Sequence, residues 1–191
     1  METLYRIYFT AGYNIAHIDV SAAICNENNI ATQDVERIEC VTNWLETQYP
    51  SPAFTSRRED GEARVGGTHY FAAYGVVKRG YPVTAGRKIS EAGAPADVKE
   101  MMHRVKIIPS HQMTLFGPRI TIFTKDGKSY TKQSTGREFI WDYDGLVARL
   151  RDVVPALPIP SAQYESIVNT CRDLEKQNRA DELVKLTIKK A

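Results

Sequence analysis

The run ITIFTKDGKSYTKQ, residues 120–133, constrains the fold of this chain more than any other stretch. Asp126-Gly127 sits between two alternating segments rich in Ile, Thr, Phe and Tyr, a turn dipeptide flanked by strands with one buried face. The pattern predicts a β-hairpin. Residues 105–108 supply a further strand of the same sheet, with Val105 and Ile107 directed inward. A third strand is expected over residues 35–41 (VERIECV), where Ile38 and Cys40 share one side while Arg37 and Glu39 take the other.

Helical periods surround these strands. Ile18, Ala22 and Cys25 recur at helical spacing before an Asn-rich stop at residues 26–29. After Gly66-Gly67 the segment THYFAAYGVVKRG places Phe71, Tyr74 and Val77 or Lys78 at three- and four-residue spacing, predicting a helix with one apolar face. Residues 49–62 and 80–97 read as loops, the second ending in a short helix near Pro95. Beyond Trp141, Leu146, Leu150 and Val153 line one helix, and Tyr164, Ile167, Val168, Cys171 and Leu174 line the next, with Pro155, Pro158 and Pro160 between them. A last helix is expected over residues 180–186, capped by Asn178. The order predicts a single α+β domain spanning residues 1–191, an antiparallel sheet with a β-hairpin packed against helices and a helical carboxy-terminal tail.

Several function classes lose support at this stage. Twenty-five Lys and Arg against 23 Asp and Glu leave a net charge of +2, evenly spread, so no nucleic-acid partner is expected. No 18 consecutive residues are apolar and no leader-like segment opens the chain, so no membrane association is expected and the location is read as cytoplasmic. Cys25, Cys40 and Cys171 are odd in number and lack ligand spacing, and His17, His69, His103 and His111 fall in different elements, so neither a metal site nor a cofactor is expected. Phosphate loops, HExxH pairs and nucleophile elbows are missing from the sequence. The groups best suited to chemistry are Arg6, Tyr8 and Asn14 near the start, and Arg64, His69 and Tyr70 around the double glycine. Arginine forks grip carboxylates, a phenol can give a proton, and Gly-Gly lets backbone approach a ligand.

These same segments carry a resemblance. YRIYFTAGYN, TQDVERIECV, ARVGGTHYFAAYGVVKRG, the stretch from HRVKIIP through the D-G hairpin, and the closing helices resemble, in collinear order over residues 4–186, the second domain of the MmgE/PrpD family, that of 2-methylcitrate dehydratase. The resemblance implies an α+β lid that closes over an all-helical first domain, and reactions that dehydrate, epimerise or decarboxylate small polycarboxylates. It implies that Tyr70 is the catalytic tyrosine and that Arg6 stands where a Lys or Arg lies near substrate. Asn14 stands at a position that is histidine in close 2-methylcitrate dehydratase-like sequences, a departure from the family's pattern; Asn14, Arg64 and His69 are expected to bind substrate. The helical domain, with its acid and histidine residues, has no counterpart in these 191 residues. The expected role is therefore a small subunit or lid protein of a split lyase or isomerase, inactive without a helical-domain partner or self-association and exposing an apolar patch where that partner docks. The alternative is a non-catalytic binding or interaction protein that retains the lid fold.

Overall fold

The structure, a computed structural model, describes residues 10–48, 63–82, 89–179 and 181–188. It is α+β, and the described chain divides into two compact units, one reaching to Ile140 and one from Trp141 onward. The first contains α1 (Gly12–Glu27), β1 (Val35–Asn43), α2 (Trp44–Gln48), α3 (Thr68–Lys78), α4 (Ala96–Met102), β2 (Val105–Ser110), β3 (Arg119–Thr124) and β4 (Ser129–Gln133).

The four strands lie in the order β2-β1-β3-β4. The predicted hairpin is β3 and β4, with Thr121 opposite Thr131 and Gly127 at φ +83° supplying the left-handed residue of the turn. β1 pairs antiparallel with β3 and parallel with β2, so one pair departs from the expected antiparallel sheet. The reason is the connection: α3 and α4 intervene between β1 and β2, and such a crossover returns the chain in the same direction. Ile38 and Cys40 are buried as their alternation predicts, and so are Val105 and Ile107. Val35 is buried as well, although it lies an odd three positions before Ile38; the register shift between Val35 and Arg37 restores its phase. On the opposite face the Arg37 guanidinium lies 3.5 Å from the centre of the Phe123 ring.

Helices α1, α3 and α4 contribute to the same hydrophobic core as the buried side of the sheet. α1 begins earlier than its apolar period suggests and ends at the predicted Asn-rich stop. There the Asn28 side chain donates to the Ile24 carbonyl at 2.8 Å, Asn29 takes φ +53°, and the Ile30 N–H reaches back to Cys25 at 2.9 Å. α3 is more enclosed than a one-faced helix: Thr68, His69, Tyr70, Phe71, Ala72, Ala73, Gly75 and Val76 are all buried, and the expected face residues Tyr74 and Val77 are only half-buried. It has neighbours on several sides, α1, α4 and β2.

The second unit holds α5 (Tyr143–Leu150), α6 (Ser161–Arg172) and α7 (Asp181–Thr187). Its core is Val147, Tyr164 and Val168, with Leu150, Val154, Leu157 and Ile159 packed around them. The expected face of α5 is thus one position off: Val147 is buried and Leu146 is half-buried. Leu174, expected on the apolar face of α6, lies beyond that helix and is 49% exposed. α7 starts at Asp181, and the Gln163 side chain of α6 donates to the Leu186 carbonyl at 2.7 Å. The loop expected over residues 49–62 lies outside the described residues.

Candidate site between helices α1 and α3

Along α1, Asn14, His17 and Ser21 fall at i, i+3 and i+7, a polar stripe among the buried residues of the helix. All three are 0% exposed. Burial of polar groups on this scale requires partners, because each one left unpaired costs desolvation without return. Asn14 donates its amide to the Thr10 hydroxyl at 2.8 Å, and the His17 Nδ1–H donates to the Tyr13 carbonyl at 2.9 Å. Asn14 Oδ1, His17 Nε2 and Ser21 Oγ have no hydrogen-bond partner among the described residues.

α3 faces this stripe. Gly75 allows the helices to approach until Ile18 and Ser21 touch its backbone. His69 lies close enough to His17 for the two imidazoles to repel each other's charge. Past the helix ends, the Arg79 guanidinium donates to the Ile30 carbonyl at 2.6 Å. These contacts ascend both helices together, so α1 and α3 run in the same sense and their N-termini lie at one end. Residues 63–69 bring Arg64, Gly66, Thr68 and His69 there; Gly66 takes φ +80°, and the Gly67 N–H donates to the Arg64 carbonyl at 3.0 Å. Two helix N-termini at one place favour an anion.

His17 is held well below its ordinary value, at about 4, because burial disfavours the cation; its bond to the Tyr13 carbonyl opposes this, and the like imidazole of His69 adds to it. At neutral pH it is therefore uncharged. A carbonyl only accepts, so the proton sits on Nδ1 and Nε2 is a bare acceptor. Tyr70 is fully buried in the hydrophobic core, its ring edge-on to Phe71 at 5.4 Å and tilted against Tyr74 at 5.8 Å. Burial pushes its phenol up, and the charges of Tyr74, Asp97 and Glu91 push the same way, so it stays protonated.

Comparison with family models finds none that matches this chain, and comparison with curated proteins finds no match either.

Of the residues singled out in the sequence, the structure brings Asn14, Arg64 and His69 to the converging ends of α1 and α3. Tyr70 follows His69 on the same helix, but the groups that act on its phenol, Tyr74, Asp97 and Glu91, belong to α3 itself and to the side of α4. Arg6 and Tyr8 lie outside the described residues. His17, Ser21 and Thr68 escape a reading that asks for recognised motifs; the signal available for the first two is the i, i+3, i+7 polar stripe beginning at Asn14. Among the described residues no three His, Cys, Asp or Glu side chains come together as a metal site, and no helix is long and apolar enough to cross a membrane.

A second feature lies beside the N-terminus of α1. Trp44 and Leu45 on α2 and Leu115 on the β2–β3 connection are 41%, 50% and 47% exposed. The Glu46 carboxylate joins these segments, accepting from the Phe116 N–H at 2.7 Å and from the Thr42 hydroxyl at 2.5 Å. Trp44 stacks on His111, the Asn43 amide donates to the Met113 carbonyl, and the Phe116 ring lies over Gly12, the first residue of α1. Phe116 itself takes φ +59°, a conformation costly for an aromatic residue and held here by the Glu46 bond.

Proposed function

We propose that this chain is the carboxylate-binding lid of a split lyase or isomerase of the MmgE/PrpD type, acting on small polycarboxylates when a helical-domain partner completes the site. The observation that carries the reading is the meeting of the α1 and α3 N-termini with Asn14, Arg64, Thr68 and His69 around them. Removing a proton beside a carboxylate and expelling a β-hydroxyl requires cations or dipoles to hold the carboxylates, an acid for the leaving group and a base. The converging helix ends suit the first task. Tyr70, protonated at neutral pH, has the chemistry for the second, but its phenol is buried on the α4 side of α3. The exposed Trp44, Leu45 and Leu115 support docking of a partner nearby, since apolar side chains of this size gathered on one surface favour association. The resemblance of the sequence supplies the reaction class.

The burial of Tyr70 favours the second reading, a non-catalytic binding protein that keeps the lid fold. One experiment separates the two. The full chain is co-purified with an all-helical chain encoded beside it, and each preparation is assayed on citrate-like acids. Turnover by the pair and none by the chain alone is the expected result. Robust turnover by the chain alone would sink the split-enzyme reading, and binding without turnover by the pair would favour the non-catalytic one.

A further inference from the structure

β4 is the last strand of the sheet, and no further strand lies beyond it among the described residues. Its pairing with β3 fixes which backbone groups face outward. At one end the Thr124 N–H donates to the Lys128 carbonyl at 2.9 Å, and at the other the Ser134 N–H donates to the Pro118 carbonyl at 3.1 Å. Bonded and non-bonded pairs alternate along an antiparallel ladder. Counted from either end, the non-bonded pairs are Phe123 with Ser129, Thr121 with Thr131 and Arg119 with Gln133. The N–H and carbonyl of Ser129, Thr131 and Gln133 therefore point away from β3, and all three residues are exposed.

Sheet edges are usually blunted against further pairing. β2, at the opposite edge, carries Pro109, which has no N–H to offer. β4 carries no Pro, and its register with β3 runs without a bulge. Lys132 lies on the helix side of the sheet, opposite Ile120, where the Glu27 carboxylate holds its ammonium. Lys128 is held at the turn by Asp126 at 2.7 Å.

The order of side chains along β4 determines what fits this edge. Two copies paired antiparallel about a two-fold axis at Thr131 set Tyr130 opposite Lys132 and Ser129 opposite Gln133, so a ring meets a cation on each side of the axis. All the outward backbone groups find partners in that register. Thr131 meets its own copy, and because its hydroxyl already lies 2.9 Å from that of Thr121, one row of threonines crosses the axis. An axis at Tyr130 would set Lys132 against Lys128, and an axis at Lys132 would set that residue against itself. Like charges directly across a ladder disfavour both.

We propose that β4 is a self-association edge, at which two copies of this chain join strand to strand about Thr131 and continue the sheet across the axis. The inference is independent of the carboxylate-binding reading above. A strand of 5 residues spans roughly 17 Å, and a contact of that length lies at the small end of protein interfaces. The dimer is therefore weak and concentration-dependent.

Sedimentation of the full chain from about 1 μM to about 1 mM should show monomer giving way to dimer, with Kd on the order of 100 μM. Amide hydrogen exchange of the wild-type chain reads the edge directly and does not depend on any variant folding. Ser129, Thr131 and Gln133 should exchange fast in dilute solution and slow as dimer forms, whereas Tyr130 and Lys132, bonded to β3, should be slow throughout. Thr131→Lys and Thr131→Glu each place like charges across the axis, so each alone should stay monomeric, and the two mixed should recover the dimer. A chain that stays monomeric over the whole range, a dimer that survives both charge variants, or a mixture that forms no dimer would overturn the proposal. Slow exchange at Ser129, Thr131 and Gln133 in the dilute monomer would overturn it as well, because the edge would then be covered from within the chain.

Discussion

Gly75 on α3 lies against the backbone of Ile18 on α1: a Cβ added at position 75 would stand 3.0 Å from the Ile18 Cα and 3.0 Å from the Ser21 Cβ. Backbone cannot yield as a side-chain end can, so Gly75→Ala must push the helices apart. The expected loss is about 2–3 kcal/mol, read as a lower midpoint in urea unfolding with unchanged slope. Gly66→Ala serves as the contrast. Its added Cβ meets nothing within 4 Å, and only the strain of φ +80° remains, worth roughly 1 kcal/mol.

The His17 imidazole makes stability depend on acid in a defined window. Its folded value, about 4, lies below its ordinary 6.5, so between these values the unfolded chain binds more protons than the native one. Stability is thus fully present above pH 6.5, falls as pH is lowered towards 4, and levels off below, a loss on the order of 3 kcal/mol. Glu46, which burial pushes up against the pull of its bonds to Thr42 and Phe116, acts in reverse: its contribution is present in acid and lost as pH rises through its folded value. The clean measurement is therefore the difference between wild type and His17→Leu, followed by urea unfolding from pH 7.5 to 4. Parallel curves would show that His17 is not buried uncharged.

Glu46 should matter more for the Phe116 turn than for charge. Glu46→Ala leaves the Phe116 N–H and the Thr42 hydroxyl without their acceptor while Phe116 remains at φ +59°. A loss of about 2–3 kcal/mol is expected. Glu46→Gln keeps one acceptor for the N–H, and the Thr42 hydroxyl can turn to accept from the new amide, so it should cost under about 1 kcal/mol. Equal losses in the two variants, measured by thermal unfolding, would contradict this account.

Tyr70→Phe separates fold from function. The hydroxyl is buried with no partner among the described residues, so its removal should leave stability unchanged or raise it by up to about 1 kcal/mol. On the split-lyase reading proposed above, the same change should lower turnover of the chain with its partner with less effect on binding, as removal of an acid group does. A large loss of stability would instead mean that the phenol holds the core together through a hydrogen bond.

Much of the first unit was readable from residue order because its signals are local. Asp126-Gly127 between alternating runs, the Ile38 and Cys40 alternation and the Asn-rich stop after Cys25 each depend on neighbours a few positions away. The site was readable only in part. Asn14, Arg64 and His69 stood out by chemistry, yet nothing near His17 in the sequence distinguishes it from a lone histidine on a helix. Its uncharged state and fixed tautomer follow from burial beneath α3, a contact between segments far apart in the chain.

The same division holds for the fold. Period and turn chemistry determined by themselves that helices flank a sheet with a D-G hairpin, since each side chain's preferred face is set by the 2.0 or 3.6 residue repeat it belongs to. Only the tertiary structure decided that β2 joins β1 in parallel, that Val147 rather than Leu146 is buried, and that α1 and α3 run in the same sense with their N-termini together. Those outcomes depend on which surfaces meet: Gly75 admits Ile18 and Ser21 to the backbone of α3, and no repeat within either helix encodes the partner that will lie across it.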